Sequence, residues 1–291
     1  MTRSRTAWWA IALLAPAAAL AVAATPASAD TPYASYVALG DSYAAGPLIP
    51  LPVGSPPGCL RSDRNYPAQV AHTLGVTEFR DVSCSGATTD DLAGSQNVPL
   101  GVNPPQLDAL GPDTALVSMT MGGNDIGFAS IVTECALRSP TKPFGAACKD
   151  HFTAGGTDQL AARIDGAAPK IAAALKAIKD RSPAAVVVLV GYPAILPDTG
   201  PGCFPILPLS NGDVAYLRGV EKEFNAMLAE QAADTHVEYA DTYTPTIGHD
   251  ACQLPGTKWI EGVVPTAPAA PLHPNALGET AMAEAVVLAL S

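Results

Sequence analysis

Short apolar segments alternate along this chain with longer segments of helical periodicity, and this alternation limits the possible folds more than any other feature. Strands separated by helices are typical of a parallel sheet with helices on both faces. The run from Val186 to Val190, for example, suits a strand buried on both faces. The pattern therefore predicts an α/β fold. The predicted strands are Tyr36–Leu39, Glu78–Ser83, Thr114–Met121, Ala185–Val190 and Val237–Tyr239, and the predicted helices are Tyr66–Leu74, Asp158–Asp180, Val214–Ala232 and Asn275–Leu290.

Loops rich in proline and glycine connect these elements. They are Gly46–Gly58, Gly94–Pro105, Tyr192–Pro208 and Val263–Pro271. In open α/β sheets ligands bind beyond the carboxyl ends of the strands, where long loops shape the site. We therefore expect the motifs that follow the predicted strands to share one cleft.

The first 29 residues have the pattern of a secretory signal peptide. Two early arginines precede an uncharged apolar run, Ala7–Ala24, and then the small residues Ala27-Ser28-Ala29. An uncleaved membrane anchor is the alternative, because eighteen apolar residues are just enough to span a bilayer. The small-residue site and Pro16 favour cleavage. We expect a secreted protein with one functional domain, 30–291, and no membrane span after cleavage.

The charge of that domain is strongly acidic. Residues 1–29 hold two of the 16 basic residues and none of the 27 acidic ones, so 14 basic residues remain and the net charge is −13. Nucleic acid is therefore not an expected partner, because phosphate binding needs a basic surface. The length suits one α/β domain with long loops. We also expect the protein to be a monomer.

Six cysteines lie in the predicted mature part, and an even number in an exported chain indicates disulfides. We expect sequential pairing, which closes three separate loops without crossings: Cys59–Cys84, Cys135–Cys148 and Cys203–Cys252. A metal site is the alternative. No C-x-x-C pair occurs and no histidines stand at zinc-ligand spacing beside the cysteines, so we predict no metal.

A serine follows the first predicted strand directly, in Gly40-Asp41-Ser42. A hydroxyl at that position can be exposed at the edge of the sheet and act as a nucleophile. The alternative is a turn in which Asp41 or Ser42 caps a helix. The usual α/β-hydrolase pattern, G-x-S-x-G, is absent.

Two further turns follow predicted strands. Gly86 either donates its N–H to an oxyanion or only permits a tight turn, in which Thr89 would cap the next segment. Asn124, after Gly122 and Gly123, either donates its amide to an oxyanion or belongs to an ordinary turn.

His273 precedes the last predicted helix, where Pro274 restricts the chain. A histidine held there can face the cleft as a general base, although a lone histidine is often only a surface or hydrogen-bonded residue. His249, in another C-terminal loop, is the reserve candidate.

Together, Ser42, Gly86, Asn124 and His273 and the blocks around them resemble the GDSL or SGNH hydrolase family, over roughly Tyr36 to Leu290. The three-disulfide pattern is also similar to that of secreted actinobacterial esterases, lipases and phospholipases. The resemblance implies a three-layer, flavodoxin-like α/β/α fold and hydrolysis of carboxylic esters.

One position departs from the family pattern. Its members commonly have an Asp three residues before the histidine, where this chain has Ala270. Some secreted members use a main-chain carbonyl to orient the histidine, and we expect the carbonyl of Ala270 or Pro271 to do so here. A distant acid such as Asp250 is the alternative.

The expected mechanism forms an acyl-enzyme on Ser42 with His273 as the base. The oxyanion would accept hydrogen bonds from the N–H groups of Ser42 and Gly86 and from the Asn124 amide. The cycle asks for no metal ion or organic cofactor. A lipid or small-molecule ester is the expected substrate, because the loops Pro47–Val53 and Ile206–Leu209 could line an acyl-chain pocket. Alternatives are a carbohydrate acetylesterase, an acyltransferase, and a secreted binding protein with an inactive site.

Overall fold

Five parallel strands form the central sheet of the computed structural model, which describes residues 1–2 and 32–291. The predicted signal peptide, 1–29, lies outside the described residues except for Met1 and Thr2. The described part has the strands β1 (Ser35–Gly40), β2 (Glu78–Asp81), β3 (Gln96–Val98), β4 (Gly101–Asn103), β5 (Leu116–Thr120), β6 (Val186–Val190) and β7 (Glu238–Ala240). Its α-helices are α1 (Ser42–Ala45), α2 (Tyr66–Thr73), α3 (Asp90–Ala93), α4 (Phe128–Arg138), α5 (Ala147–Phe152), α6 (Gln159–Arg181), α7 (Asn211–Thr235), α8 (Tyr243–Thr246) and α9 (Ala276–Ala289).

The order of the strands in the sheet decides where a site can form. The order is β2-β1-β5-β6-β7. Strand β2 therefore lies on one side of β1, and β5, β6 and β7 follow one another on the other side. In sheets of this flavodoxin-like order, ligands bind at the carboxyl ends of the two strands where the direction reverses. Those strands are β1 and β5, and their last residues, Gly40 and Thr120, are register partners.

Helices cover both faces of the sheet, with α6 packed on α7 and α2 packed on α9. Helix α6 buries Ile164, Ile171, Leu175 and Ile178 at helical spacing. Its N-terminus is capped by the Asp158 side chain, which accepts hydrogen bonds from two backbone N–H groups. The predicted three-layer α/β/α fold is therefore confirmed, because helices with buried apolar residues flank a five-stranded parallel sheet.

Each predicted strand and helix overlaps an element of the structure, although several bounds differ. Helix α7 begins at Asn211, three residues before the predicted start, because Ser210 caps it. The helices α4 and α5 were not predicted. The predicted loop Gly94–Pro105 contains the hairpin of β3 and β4, whose three-residue strands are too short to produce a recognisable alternation.

Three disulfides join Cys59 to Cys84, Cys135 to Cys148 and Cys203 to Cys252, which is the sequential pairing. The second connects α4 to α5, and the third connects the loop after β6 to the loop after α8. In the range 32–291, no helix is both long enough and apolar enough to cross a membrane.

Candidate active site

Ser42 is the first residue of α1, two positions after the end of β1. Asp41 caps this helix, and its Oδ1 accepts a hydrogen bond from the Tyr43 N–H at 2.9 Å. The Gln106 amide binds both the N–H and the carbonyl of Gly40, at 2.8 and 2.9 Å. A side chain at Gly40 would approach Ala44 and the Thr120 carbonyl to 2.7 Å. Hydrogen bonds to both polar groups of the Gly40 backbone therefore fix the turn that presents Ser42, and the turn has no space for a side chain at Gly40.

Asp41 does more than cap the helix, because Tyr192 donates its hydroxyl to Oδ2 at 2.5 Å. The same tyrosine oxygen accepts a hydrogen bond from the Gly123 N–H at 2.9 Å. Burial raises the pKa of Asp41 to about 7, although the hydrogen bonds from Tyr192 and Tyr43 oppose the rise. Tyr192 therefore connects the Ser42 turn to the Asn124 turn.

Tyr192 was not singled out from the sequence. It lies two residues beyond the end of β6, as Ser42 lies two residues beyond the end of β1. That position at the carboxyl edge of the sheet is the one signal that could have identified it.

His273 lies beside Ser42, and its Nε2 is 2.7 Å from the Ser42 Oγ. On the other side of the ring, Nδ1 is 2.7 Å from the Pro271 carbonyl oxygen. A proton on Nδ1 donates to that carbonyl and leaves Nε2 free to accept the serine proton. Burial lowers the pKa of His273, and the hydrogen bond to Pro271 offsets part of that effect.

The two carbonyls expected to orient His273 have different roles. Pro271 accepts from the imidazole, whereas the Ala270 carbonyl accepts the backbone N–H of His273 at 3.2 Å. The Asp250 carboxylate instead accepts the Cys252 N–H at 2.9 Å and the Gln253 amide at 3.0 Å. The imidazole therefore faces a main-chain carbonyl and not the carboxylate of Asp250.

His249, the reserve candidate, has a different environment. Its ring stacks on Trp259 with the centroids 3.5 Å apart and the planes parallel within 1°. Its Nδ1 is 2.6 Å from the Thr257 carbonyl oxygen. These contacts tie His249 to the segment around Trp259, away from Ser42.

Asn124 holds the Gly86 turn in place. Its side-chain amide donates to the Ala87 carbonyl at 2.8 Å, which occupies one of the two amide protons. Asp125 accepts both the backbone N–H of Thr89 at 3.0 Å and the Thr89 hydroxyl at 2.5 Å. The two turns predicted to supply oxyanion donors are thus bonded to each other, and Thr89 makes no side-chain cap.

Gly86 itself is exposed and has a φ of +81°, in the left-handed region that favours glycine. It lies in the turn that Asn124 binds. Asn124, Ser42 and His273 line a common cavity.

That cavity has a volume of about 330 Å³ and a largely apolar wall. Of the two apolar loops expected to form it, the segment 207–209 does line it. The loop 47–53 instead leaves Leu48 and Leu51 exposed and buries Ile49 elsewhere. Helices α4 and α7 and the loop after β6 supply most of the wall, through Ile131, Val132, Ile195, Leu196, Leu217, Val220 and Phe224.

Glu221, on α7, brings a carboxyl group to the cavity wall. Its Oε1 accepts the Ile195 N–H at 2.8 Å, and its Oε2 is shielded from solvent. Burial raises the pKa of Glu221 to about 8, against the opposing effect of the backbone hydrogen bonds from Ile195 and Leu196. The cavity wall is therefore mostly uncharged at neutral pH. Among residues 32–291, no group of three or more His, Cys, Asp or Glu side chains is arranged to hold a metal ion.

Comparisons with known proteins point to one group of enzymes. The model of the GDSL-like lipase/acylhydrolase family matches residues 38–281. A lipase of Streptomyces coelicolor, Lipase 2, is 42% identical over 266 residues, which cover 90% of this chain and 87% of that protein.

Two solved structures are also similar. Phospholipase A1 from Streptomyces albidoflavus is 29% identical with a TM-score of 0.71, and the match covers 88% of this chain and 98% of that one. An extracellular lipase from Streptomyces rimosus is 32% identical with a TM-score of 0.67, over 88% of this chain and 99% of that one.

Proposed function

The chain belongs to the GDSL-like lipase/acylhydrolase family and is an ester hydrolase, and on that basis we propose that it is a secreted lipase that works through an acyl-enzyme on Ser42. The observation that carries the proposal is the 2.7 Å contact between the Ser42 Oγ and the His273 Nε2, in a largely apolar cavity that both residues line. A nucleophile and its base within hydrogen-bond reach are the first requirement of this chemistry.

In the proposed cycle, His273 takes the proton of Ser42 as the serine oxygen attacks the ester carbonyl. Charge then develops on the carbonyl oxygen, where hydrogen-bond donors stabilise it. The donors are the N–H groups of Ser42 and Gly86 and the second amide proton of Asn124. His273 next protonates the leaving alcohol, and water activated by the same base releases the acid.

The cavity favours an acyl chain over a sugar as the group that is bound. Sugars need several hydrogen-bond partners, whereas most of the wall beyond the catalytic end is aliphatic or aromatic. Burial raises the pKa of Glu221 to about 8, so this carboxyl adds little charge to the wall at neutral pH.

Exposed apolar side chains beside the cavity support an insoluble substrate. Leu137, Ile206 and Val264, here called the rim residues, are 70%, 77% and 79% exposed. Each directly neighbours a cavity-lining residue in the chain, on three separate segments. Arg138, which follows Leu137 in the chain, is paired with Glu134. Such a surface suits an uncharged or zwitterionic lipid interface.

Secretion belongs to the same proposal. It is supported by the signal pattern in residues 1–29, by three disulfides, and by the extracellular lipase among the similar structures.

The test is the hydrolysis of p-nitrophenyl acetate, butyrate, octanoate and palmitate, with acetylated xylan and phosphatidylcholine for comparison. We expect the octanoate or a longer ester to have the highest kcat/KM. Ser42→Ala should lower kcat by at least about 10⁴-fold, because nucleophile and base act as a unit. Ser95→Ala, at an exposed serine, is the matched control. A preference for acetylated xylan, or near-normal turnover by Ser42→Ala, would reject the proposal.

A further inference from the structure

The hydrogen bond from His273 to Pro271 leaves an electrostatic problem. When the imidazole takes the serine proton it becomes a cation, and in a triad a buried carboxylate stabilises that charge. The Pro271 carbonyl fixes the ring orientation but carries no full negative charge. Another side chain touches the face of the imidazole ring.

That group is the side chain of Tyr43, the residue after the nucleophile. Its ring stacks on the His273 ring, with the centroids 4.7 Å apart and the planes 29° from parallel. Tyr43 is only 3% exposed. Edge contacts with Tyr192 and Phe128, with centroids at 5.0 and 6.3 Å, hold it in that orientation. The face of an aromatic ring is electron-rich and attracts a cation within about 6 Å.

The Tyr43 hydroxyl makes a second connection to the histidine segment, because it donates to the Leu272 carbonyl at 2.6 Å. Leu272 lies between Pro271 and His273 and has a φ of +59°, in the left-handed region that L-residues rarely adopt. The hydroxyl thus anchors the peptide group that links the carbonyl acceptor to the imidazole. Burial raises the pKa of this hydroxyl well above its usual value, so it stays a neutral donor.

The carboxyl groups near Tyr43 do not provide a full negative charge in its place. They are Asp41, which caps α1, Glu221 on α7 and Glu279 on α9. Burial raises the pKa of all three, to about 7 for Asp41 and about 8 for Glu221. Burial lowers the pKa of His273 and the hydrogen bond to the Pro271 carbonyl raises it, and neither of these supplies a negative charge.

We propose that Tyr43 is a positioning residue that partly replaces the missing triad carboxylate: its ring face stabilises the His273 imidazolium, and its hydroxyl fixes the Leu272 peptide that orients the ring. This inference rests on the proposed roles of Ser42 and His273. It assigns the two functions to different parts of one side chain, so that they can be separated by substitution.

The test compares Tyr43→Phe, which keeps the ring, with Tyr43→Leu, which removes it. Stabilising a cation raises the pKa of its base, so losing the ring should lower the pKa of His273. For Tyr43→Leu we expect kcat on p-nitrophenyl butyrate to fall about 3- to 30-fold with KM changed less than about twofold. The acid limb of kcat/KM should move down by about 0.5–1.5 pH units. Tyr43→Phe should lose some kcat and keep the acid limb.

Two further measurements separate this role from a general loss of structure. An NMR titration of the His273 ring in Ser42→Ala gives its pKa directly, with and without each Tyr43 change. Replacing Tyr43 with pentafluorophenylalanine keeps a ring of similar size but removes its attraction for a cation, and it should shift the limb as Tyr43→Leu does. If Tyr43→Leu has an unmoved or raised pKa, or if the fluorinated ring behaves like Tyr43→Phe, the inference is wrong. If Ser42→Ala keeps its activity, the proposed function itself fails.

Discussion

At the scale of single residues, the orientation of His273 depends on a main-chain group. Ala270 stands where the family commonly has an acid, and the Pro271 carbonyl accepts the Nδ1 proton at 2.7 Å. Because this partner is neutral, burial has the larger effect on the pKa of His273, and it lowers that pKa. A base with a lowered pKa stays neutral, and therefore competent, at a lower pH.

The first prediction concerns the pH dependence of kcat/KM. Protonated His273 cannot accept the serine proton, so activity disappears as the pH falls through its pKa. Because that pKa lies below the ordinary 6.5, the acid limb should have its midpoint below 6.5. The measurement is kcat/KM for a soluble ester from about pH 4 to pH 9. Asp41→Asn is the control, because burial raises the pKa of Asp41 to about 7 and asparagine also caps helices. A midpoint above 7 that Asp41→Asn leaves unchanged would contradict the assignment.

At the scale of elements, a buried ion pair braces the segment that carries His273. Glu261 is fully buried and bonds to Lys258 at 3.0 Å, to the Asn275 amide at 2.9 Å and to the Thr266 N–H at 2.7 Å. Its own backbone N–H donates to the His273 carbonyl at 2.9 Å. The position of His273, the proposed base, thus depends on contacts within the segment that joins α8 to α9, and these contacts lie outside the cavity.

Glu261→Gln should therefore reduce both stability and turnover. Leaving Lys258 buried without its partner costs about 3–5 kcal/mol, and a displaced base should lower kcat about tenfold or more. Burial alone would raise the pKa of Glu261, but its hydrogen bonds and Lys258 bring it below the ordinary 4.5. The stabilisation is therefore present above pH 4.5 and is lost as the pH falls through the lowered value.

Thermal unfolding at several pH values tests this. The difference in melting temperature between wild type and Glu261→Gln should become smaller in acid. Adding Lys258→Met to the variant removes the unpaired charge, so the double variant should recover part of the stability at neutral pH. Equal destabilisation at every pH would show that the ion pair has no role.

At the scale of the whole molecule, the proposal of a lipid substrate depends on the exposed rim residues, which are chain neighbours of cavity-lining residues. The rim residues come from α4, from the loop before α7 and from the loop before α9, so only the folded chain brings them to one cavity. The acidic net charge argues against attraction to anionic membranes. Binding should therefore depend on apolar contact and little on salt.

The prediction is that Ile206→Ser combined with Val264→Ser weakens binding to phosphatidylcholine vesicles by about tenfold or more, because two apolar side chains no longer leave water. Hydrolysis of soluble p-nitrophenyl butyrate should change less than about twofold, since neither residue touches the ester. Leu288→Ser, at a residue 73% exposed on α9, is the control. An equal loss of vesicle binding in Leu288→Ser, or an equal loss on the soluble ester, would show that the rim residues do not dock to lipid.

The sequence by itself was enough to predict the fold class, the succession of the main strands and long helices along the chain, and the family. These depend on local periodicity and on short motifs. The segment Val186–Val190 is an example, since a run of five apolar residues between helices predicts a buried parallel strand. The hairpin and α5 were missed because they are short and bury few side chains. Helix α4 was missed although Ile131 and Cys135 are buried at helical spacing.

The tertiary structure alone decided which groups meet at the candidate site. The family resemblance predicted that Ser42 and His273 act together, but their hydrogen-bond contact joins residues 231 positions apart and forms only when the chain folds. Tyr43 and Tyr192 have no motif of their own and became visible only through their contacts with His273 and Asp41. The choice of the Pro271 carbonyl over that of Ala270 likewise follows from the folded loop, in which Leu272 adopts a positive φ. Local propensity determines elements, but a site consists of long-range contacts, whose geometry is set only when the elements pack together.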